Sequence, residues 1–138
     1  MTARQIELVQ RSFESVKPIL LKATLMFYDR LFELDPSLKE LFRTTREEQA
    51  QKLADMLVVV VDGLNHPEEI LGKVEELGRR HAGYGVRPQH YATVGEALVW
   101  TLRAGLGEDF TYETEDAWKC AYMFLASTMQ SAHSAASG

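Results

Sequence analysis

A single cysteine, Cys120, excludes a disulfide within the chain, and it fits a reducing compartment or a packed core thiol equally well. Long apolar runs are also missing. The longest, Met56 to Val61, is closed off by Asp55 and Asp62, far short of the ~18 residues that would suggest a membrane span. Positive charge is in deficit, with 20 Asp and Glu against 15 Lys and Arg, so there is no electrostatic footprint for a phosphate backbone and nucleic acid is not an expected partner. The amino terminus, MTARQIELVQRSFE, carries Arg4, Glu7 and Arg11 where a secretory signal needs an unbroken apolar segment. Strand signals, repeats and low-complexity segments are nearly absent as well. Together these absences lead us to expect a soluble, cytoplasmic, all-α protein without a membrane span.

What is present is enough chain, at 138 residues, to bury about 68–70% of the unfolded surface in one domain. We expect that domain over residues 1–132, followed by a flexible tail of small residues at 133–138. Helix signals follow one another. Thr2 and Gln5 have capping-box spacing ahead of Ile6, Val9, Phe13 and Val16, and Pro18 interrupts that stripe, so a first helix ends near Lys17. A second runs from Ile19 until Asp35-Pro36, which caps a short helix through Phe42. Thr45 and Glu48 form another capping box for a helix to Gly63; its run Val58 to Val61 could pass for a strand but follows periodic, well-capped residues. Pro67 opens a helix that Gly83 and Gly85 stop, Pro88 opens another through about Leu106, and the last spans about Thr111 to Gln130. About seven helices result.

Three of these helices place a polar residue on an otherwise apolar stripe. His81 continues Ile70, Val74 and Leu77; Gln49 lies four residues before Leu53 on the stripe Leu53, Met56, Leu57, Val60 and Leu64; Tyr28 interrupts the stripe of the second helix. Read singly, each has a bland account. Tyr28 fits a core aromatic bonded to a carbonyl, Gln49 an exposed end, and His81 a core imidazole with a backbone partner. Taken together they suggest a shared guest, because each polar group buried without a partner costs about 1–3 kcal/mol against a net stability of about 5–15. A bare zinc site needs three or four protein ligands, which His66, His90 and His133 do not supply. Haem needs a single proximal histidine, since the porphyrin provides four nitrogens.

At these residues the chain resembles the globin family, in particular single-domain bacterial haemoglobins similar to Hell's Gate globin, neuroglobin and the globin part of flavohaemoglobins. The resemblance is carried by FYDRLF at 27–32, LFRTTREEQAQKL at 41–53, LGRRHAGYGV at 77–86, HYATVGEAL at 90–98 and AWKCAY at 117–122, in order and at the expected spacing. It implies a globin fold around haem b, with His81 as the proximal iron ligand and Phe42 packed on the porphyrin. Tyr28 and Gln49 match the distal residues that face the ligand and would carry any catalysis, with Leu53 and Leu57 as the apolar wall. Lys52 and Arg80 fall where basic side chains reach haem propionates, although solvated helix charges describe them equally well. Val86 and Val94 are implied on the proximal side. Tyr91 matches a tyrosine that in flavohaemoglobins joins a glutamate beside the proximal histidine; the glutamate's counterpart here falls near His133, and we do not expect flavin and nicotinamide domains to follow.

The ligands so implied are O2, NO and CO at a pentacoordinate or weakly hexacoordinate iron, with O2 held tightly. That suits nitric oxide dioxygenase activity with a separate reductase; O2 storage or transport, gas or redox sensing, and a haem-free helical module are the alternatives. The implied assembly is a monomer or a weak homodimer.

Overall fold

The structure is a computed structural model; it describes residues 1–42, 44–83 and 86–137, the side chains of 81–83 and 133–137 lying outside that description. Among the described residues there are six α-helices and no strand: α1 (Ala3–Val16), α2 (Leu20–Leu34), α3 (Arg46–Asp62), α4 (Pro67–Gly83), α5 (Pro88–Leu106) and α6 (Tyr112–Ser137). Four short 3-10 turns connect them, and the short helix expected after Asp35 is one of these, Pro36–Leu41. No helix of the described residues is long and apolar enough to cross a membrane.

The local signals act where the residues place them. Thr2 and Gln5 form both bonds of the capping box, Gln5 N donating to Thr2 Oγ1 at 3.1 Å and Thr2 N to Gln5 Oε1 at 2.9 Å. At α3 the Thr45 half of the expected box is present, its hydroxyl accepting from Glu48 N at 3.1 Å. Val58 to Val61 are helical, because the cap and the periodic residues before them outweigh β-branching. Gly107, at φ +57°, ends α5 in a conformation that glycine adopts without strain. The last helix continues past the expected end at Gln130 to Ser137, since nothing in SAHSAAS breaks a helix. Gly83 is the final residue of α4, and Gly85 lies outside the described residues.

The core falls into three clusters. The first joins α1 to α5 and α6 around Val9, Phe13, Leu102 and Trp118, whose indole Nε1 donates to Ser12 Oγ at 2.8 Å. The second lies between α2, α3 and α5, with Phe27, Tyr28, Leu31, Ala50 and Ala97. The third lies between α3, α4, α5 and α6, with Val60, Ile70, Val74, Tyr91 and Met129. The second and third share no residue. The two ends of α3 take different sides: Ala50 and Leu53 belong to the second cluster, whereas Met56 and Val60 meet Ile70 and Val74 in the third. Helices α3 and α4 therefore touch where the turn Gly63–Asn65 joins them, and beyond it α4 packs on α6 instead.

Glycine sets that packing distance. A Cβ built on Gly78 of α4 would lie 2.5 Å from the Met129 carbonyl oxygen, whereas one built on Gly72 meets nothing within 4 Å. Gly78→Ala should push α4 off α6 and lower stability by about 1–3 kcal/mol. Gly72→Ala, on the same helix, should raise it by about 0.5–1 kcal/mol through helix propensity alone. Urea denaturation of the two variants checks the contrast, and equal effects would mean that the close approach at Gly78 is absent.

Candidate functional site

Tyr28 stands on α2 at the spacing of Thr24 and Leu31, which turns its side chain inward, and it is 7% exposed. Asp35 then stops α2 and caps the following turn, accepting from Ser37 N at 3.1 Å. That turn brings Phe42 back onto Tyr28, with ring centroids 5.5 Å apart at 81°; Phe27 supplies a second edge contact at 5.1 Å and 77°. Edge-to-face packing fixes the phenol ring on two sides. Burial pushes the Tyr28 hydroxyl up to about 12 from its ordinary 10.0, so near neutral pH it is an O–H donor and not a phenolate.

Tyr28 borders a cavity of about 120 Å³, which is also lined by Phe32, Lys39, Phe42, Thr44, Arg46 and Gln49. Such a volume falls below the about 300–1,000 Å³ of pockets for drug-sized ligands and suits a small molecule. Gln49 sits on the first turn of α3, half-buried, and its amide donates to the Thr44 hydroxyl at the exposed side. The structure thus brings Tyr28, Phe42 and Gln49 to one cavity.

Other expected residues lie elsewhere. Leu53 packs into the Tyr28 cluster but, with Leu57, walls a second apolar space of about 30 Å³ bounded by Phe27, Leu98 and Trp118. Val94 also packs against the Tyr28 cluster, whereas Val86 and the buried Tyr91 belong to the cluster of α4. Lys52 is exposed, and Arg80 is an exposed partner of Glu76 at 3.4 Å. Residue His81 is the next position of the stripe Ile70, Val74 and Leu77, which faces the third cluster; its side chain, like that of His133, lies outside the described residues.

Sequence reasoning missed Phe32, Lys39, Thr44 and Arg46 as cavity residues. Lys39, Thr44 and Arg46 are exposed positions in or beside the turn after α2, where no periodicity marks a lining residue. It also gave no role to Tyr122. The Tyr122 hydroxyl donates to the Tyr91 carbonyl at 2.5 Å, and its ring lies 2.9 Å from a Cβ built on Gly95, so α6 locks the start of α5.

Comparison with known proteins bears on the family and the fold. The family model described as Globin matches residues 25–129. The chain is 30% identical over 132 residues to a flavohemoprotein of Vibrio cholerae, covering 91% of this chain and 33% of that protein. It is 28% identical over 144 residues to a neuroglobin of Tetraodon nigroviridis, covering 94% and 90%. A solved carbene transferase, engineered from a Rhodothermus marinus protein provisionally assigned as a nitric oxide dioxygenase, superposes with a TM-score of 0.89 at 28% identity, covering 97% of this chain and 94% of that one. The chain spans about a third of the length of the Vibrio flavohemoprotein.

Burial of Tyr28 has a consequence for the pH dependence of stability. An unfolded tyrosine ionises near 10.0, whereas the folded one holds its proton to about 12. Stability from this group is complete below pH 10 and is lost as pH rises through 12, by up to about 2–3 kcal/mol. Tyr28→Phe should flatten part of the decline between those pH values in chemical denaturation. An unchanged slope would show that the phenol is already solvated in the folded chain.

Proposed function

Because this chain belongs to the globin family, we propose that it is a gas-binding haem protein with haem b held by His81 between its second and third clusters, and that it retains O2 tightly enough to oxidise nitric oxide. The residues fit such a group. A histidine continues the apolar stripe of α4, and a buried, protonated phenol belongs to a residue that borders a cavity of small-ligand size. Phe42 would pack against the porphyrin, and Val86, Val94 and Tyr91 stand on α5 or just before it, where they would meet its edge or proximal side. Lys52 and Arg80 are exposed cations available to the propionates. When bound, haem supplies a ferrous centre that takes O2, NO or CO.

The chain's own contribution is the placement of donors. The observation that carries the reading is Tyr28, buried among Phe27 and Phe42 and lining the cavity that Gln49 also lines. O2 held there accumulates negative charge and accepts from the phenol, with Gln49 as a second donor; CO stays nearly neutral and gains little. A hydrogen bond to a charged acceptor is worth about 1.5–3 kcal/mol, which slows O2 escape by about ten- to a hundredfold. Such retention would disfavour delivery and favour reaction with a second gas, NO, to give nitrate, and the chemistry would then need one electron per turnover from a separate reductase. A cytoplasmic setting would supply that reductant.

The Tyr28→Phe variant tests the reading. Its O2 dissociation should speed up by about ten- to a hundredfold while CO dissociation changes much less. Equal effects on both gases would mean that Tyr28 acts by bulk alone. For His81→Gly, haem retention should fall and exogenous imidazole should partly restore it; wild-type haem content would sink the proximal assignment. Rapid-mixing measurement of NO consumption by the oxygenated protein, with and without a reductase, separates turnover from storage and sensing.

A further inference from the structure

The first helical position of α3 is Arg46, a cation at the end of a helix where the macrodipole favours an anion. Its guanidinium is forked onto Asp29, Nε donating to Oδ1 and Nη2 to Oδ2, both at 2.7 Å. This contact spans seventeen residues of sequence and brings the carboxylate of α2 to the start of α3. Asp29 directly follows Tyr28, and Arg46 precedes Gln49 by one turn. Arg46 also lines the cavity together with Tyr28 and Gln49. The two-point contact therefore ties the turn carrying the phenol to the turn carrying the amide.

A parallel pair of bonds fixes orientation as well as distance, which a single lysine contact would not do. Its side chains are 41% and 53% exposed, so the pair contributes little to folding stability. What it does contribute is placement, because the Gln49 amide is otherwise held by the exposed Thr44 hydroxyl.

We propose that Asp29 and Arg46 are positioning residues for the donor pair of the cavity: their ion pair holds the first turn of α3 so that the Gln49 amide stays within reach of a ligand to which Tyr28 donates. This inference rests on the reading of the cavity as a gas-ligand site. It makes the ligand contact of Gln49 sensitive to ionic strength, since salt screens an exposed pair.

The test compares O2 dissociation from haem-loaded wild type, Asp29→Asn, Arg46→Gln, Gln49→Leu, the Arg46→Gln/Gln49→Leu double variant and the charge-swapped Asp29→Arg/Arg46→Asp. Each single change at the ion pair should speed dissociation by about two- to fivefold, and the swap should return it toward wild type. Salt at about 1 M should reproduce the effect in wild type but not in Arg46→Gln. In the Gln49→Leu background Arg46→Gln should add nothing; an undiminished effect there would overturn action through Gln49. A lowered melting temperature with unchanged dissociation would reduce the pair to an ordinary surface contact and overturn the proposal. Amide hydrogen exchange over residues 46–49 of the haem-free protein gives an independent readout, and it should quicken in Arg46→Gln. Wild type that takes up no haem would overturn the functional reading itself, whereas haem-loaded wild type indifferent to both substitutions would overturn only the positioning role.

Discussion

The backbone contact between α4 and α6 at Gly78 and Met129 is the constraint on which the remaining arrangement rests. Two helices joined by only four residues, as α3 and α4 are, would ordinarily bury their apolar stripes against each other. Here α4 satisfies its stripe on α6, through Ile70, Val74, Ala126 and Met129. The first half of α3 is left to pack on α2 and α5. The hydrophobic effect is non-directional, so the separation needs a steric cause. It has one in the glycine that lets two helix backbones approach more closely than any side chain allows. The elbow at Gly63, where a Cβ would lie 2.4 Å from Ile70 Cγ2, keeps the joined ends of α3 and α4 together while α3 packs at its start on α2 and α5.

At the cavity the buried donor is the neutral phenol of Tyr28, packed by Phe27 and Phe42. Desolvation raises the Tyr28 hydroxyl and thereby keeps its proton in place. The same burial that costs free energy in the absence of a partner strengthens the hydrogen bond once an acceptor enters, because little water competes for it. Phe27 and Phe42 therefore do two things at once: they hold the ring in place and they lower the polarity around its oxygen. Gln49 is less constrained. It lies at the first turn of a helix, near solvent, so its placement depends on the Thr44 hydroxyl and on how firmly that turn is held.

The other side of the molecule works through backbone. Tyr122 donates to the carbonyl of Tyr91, and Gly95 makes room for its ring, so α6 sets the position of the first turns of α5 as well as that of α4. One long helix thus positions two of the elements nearest to His81. A change on the inner face of α6 is felt at the third cluster as a whole and not at one side chain.

The sequence by itself determined the helices and most of their ends, because caps, prolines and apolar periodicity act over three or four residues and are written contiguously. It also singled out Tyr28, Gln49 and His81, since a polar residue on an apolar stripe is an anomaly visible within one helix. Phe42, Leu53, Leu57, Lys52, Arg80, Val86, Tyr91 and Val94 came from family resemblance and not from any local signal. What only the tertiary structure decided is which of them share a space. Phe42 joins Tyr28 because the Asp35 turn folds back, whereas Leu53 and Leu57 turn to a different cavity although they lie on the same stripe as Gln49. The pairing of Asp29 with Arg46 was likewise hidden. Opposite charges seventeen residues apart carry no sequence pattern, and only the crossing of α2 and α3 brings that carboxylate and that guanidinium within 2.7 Å.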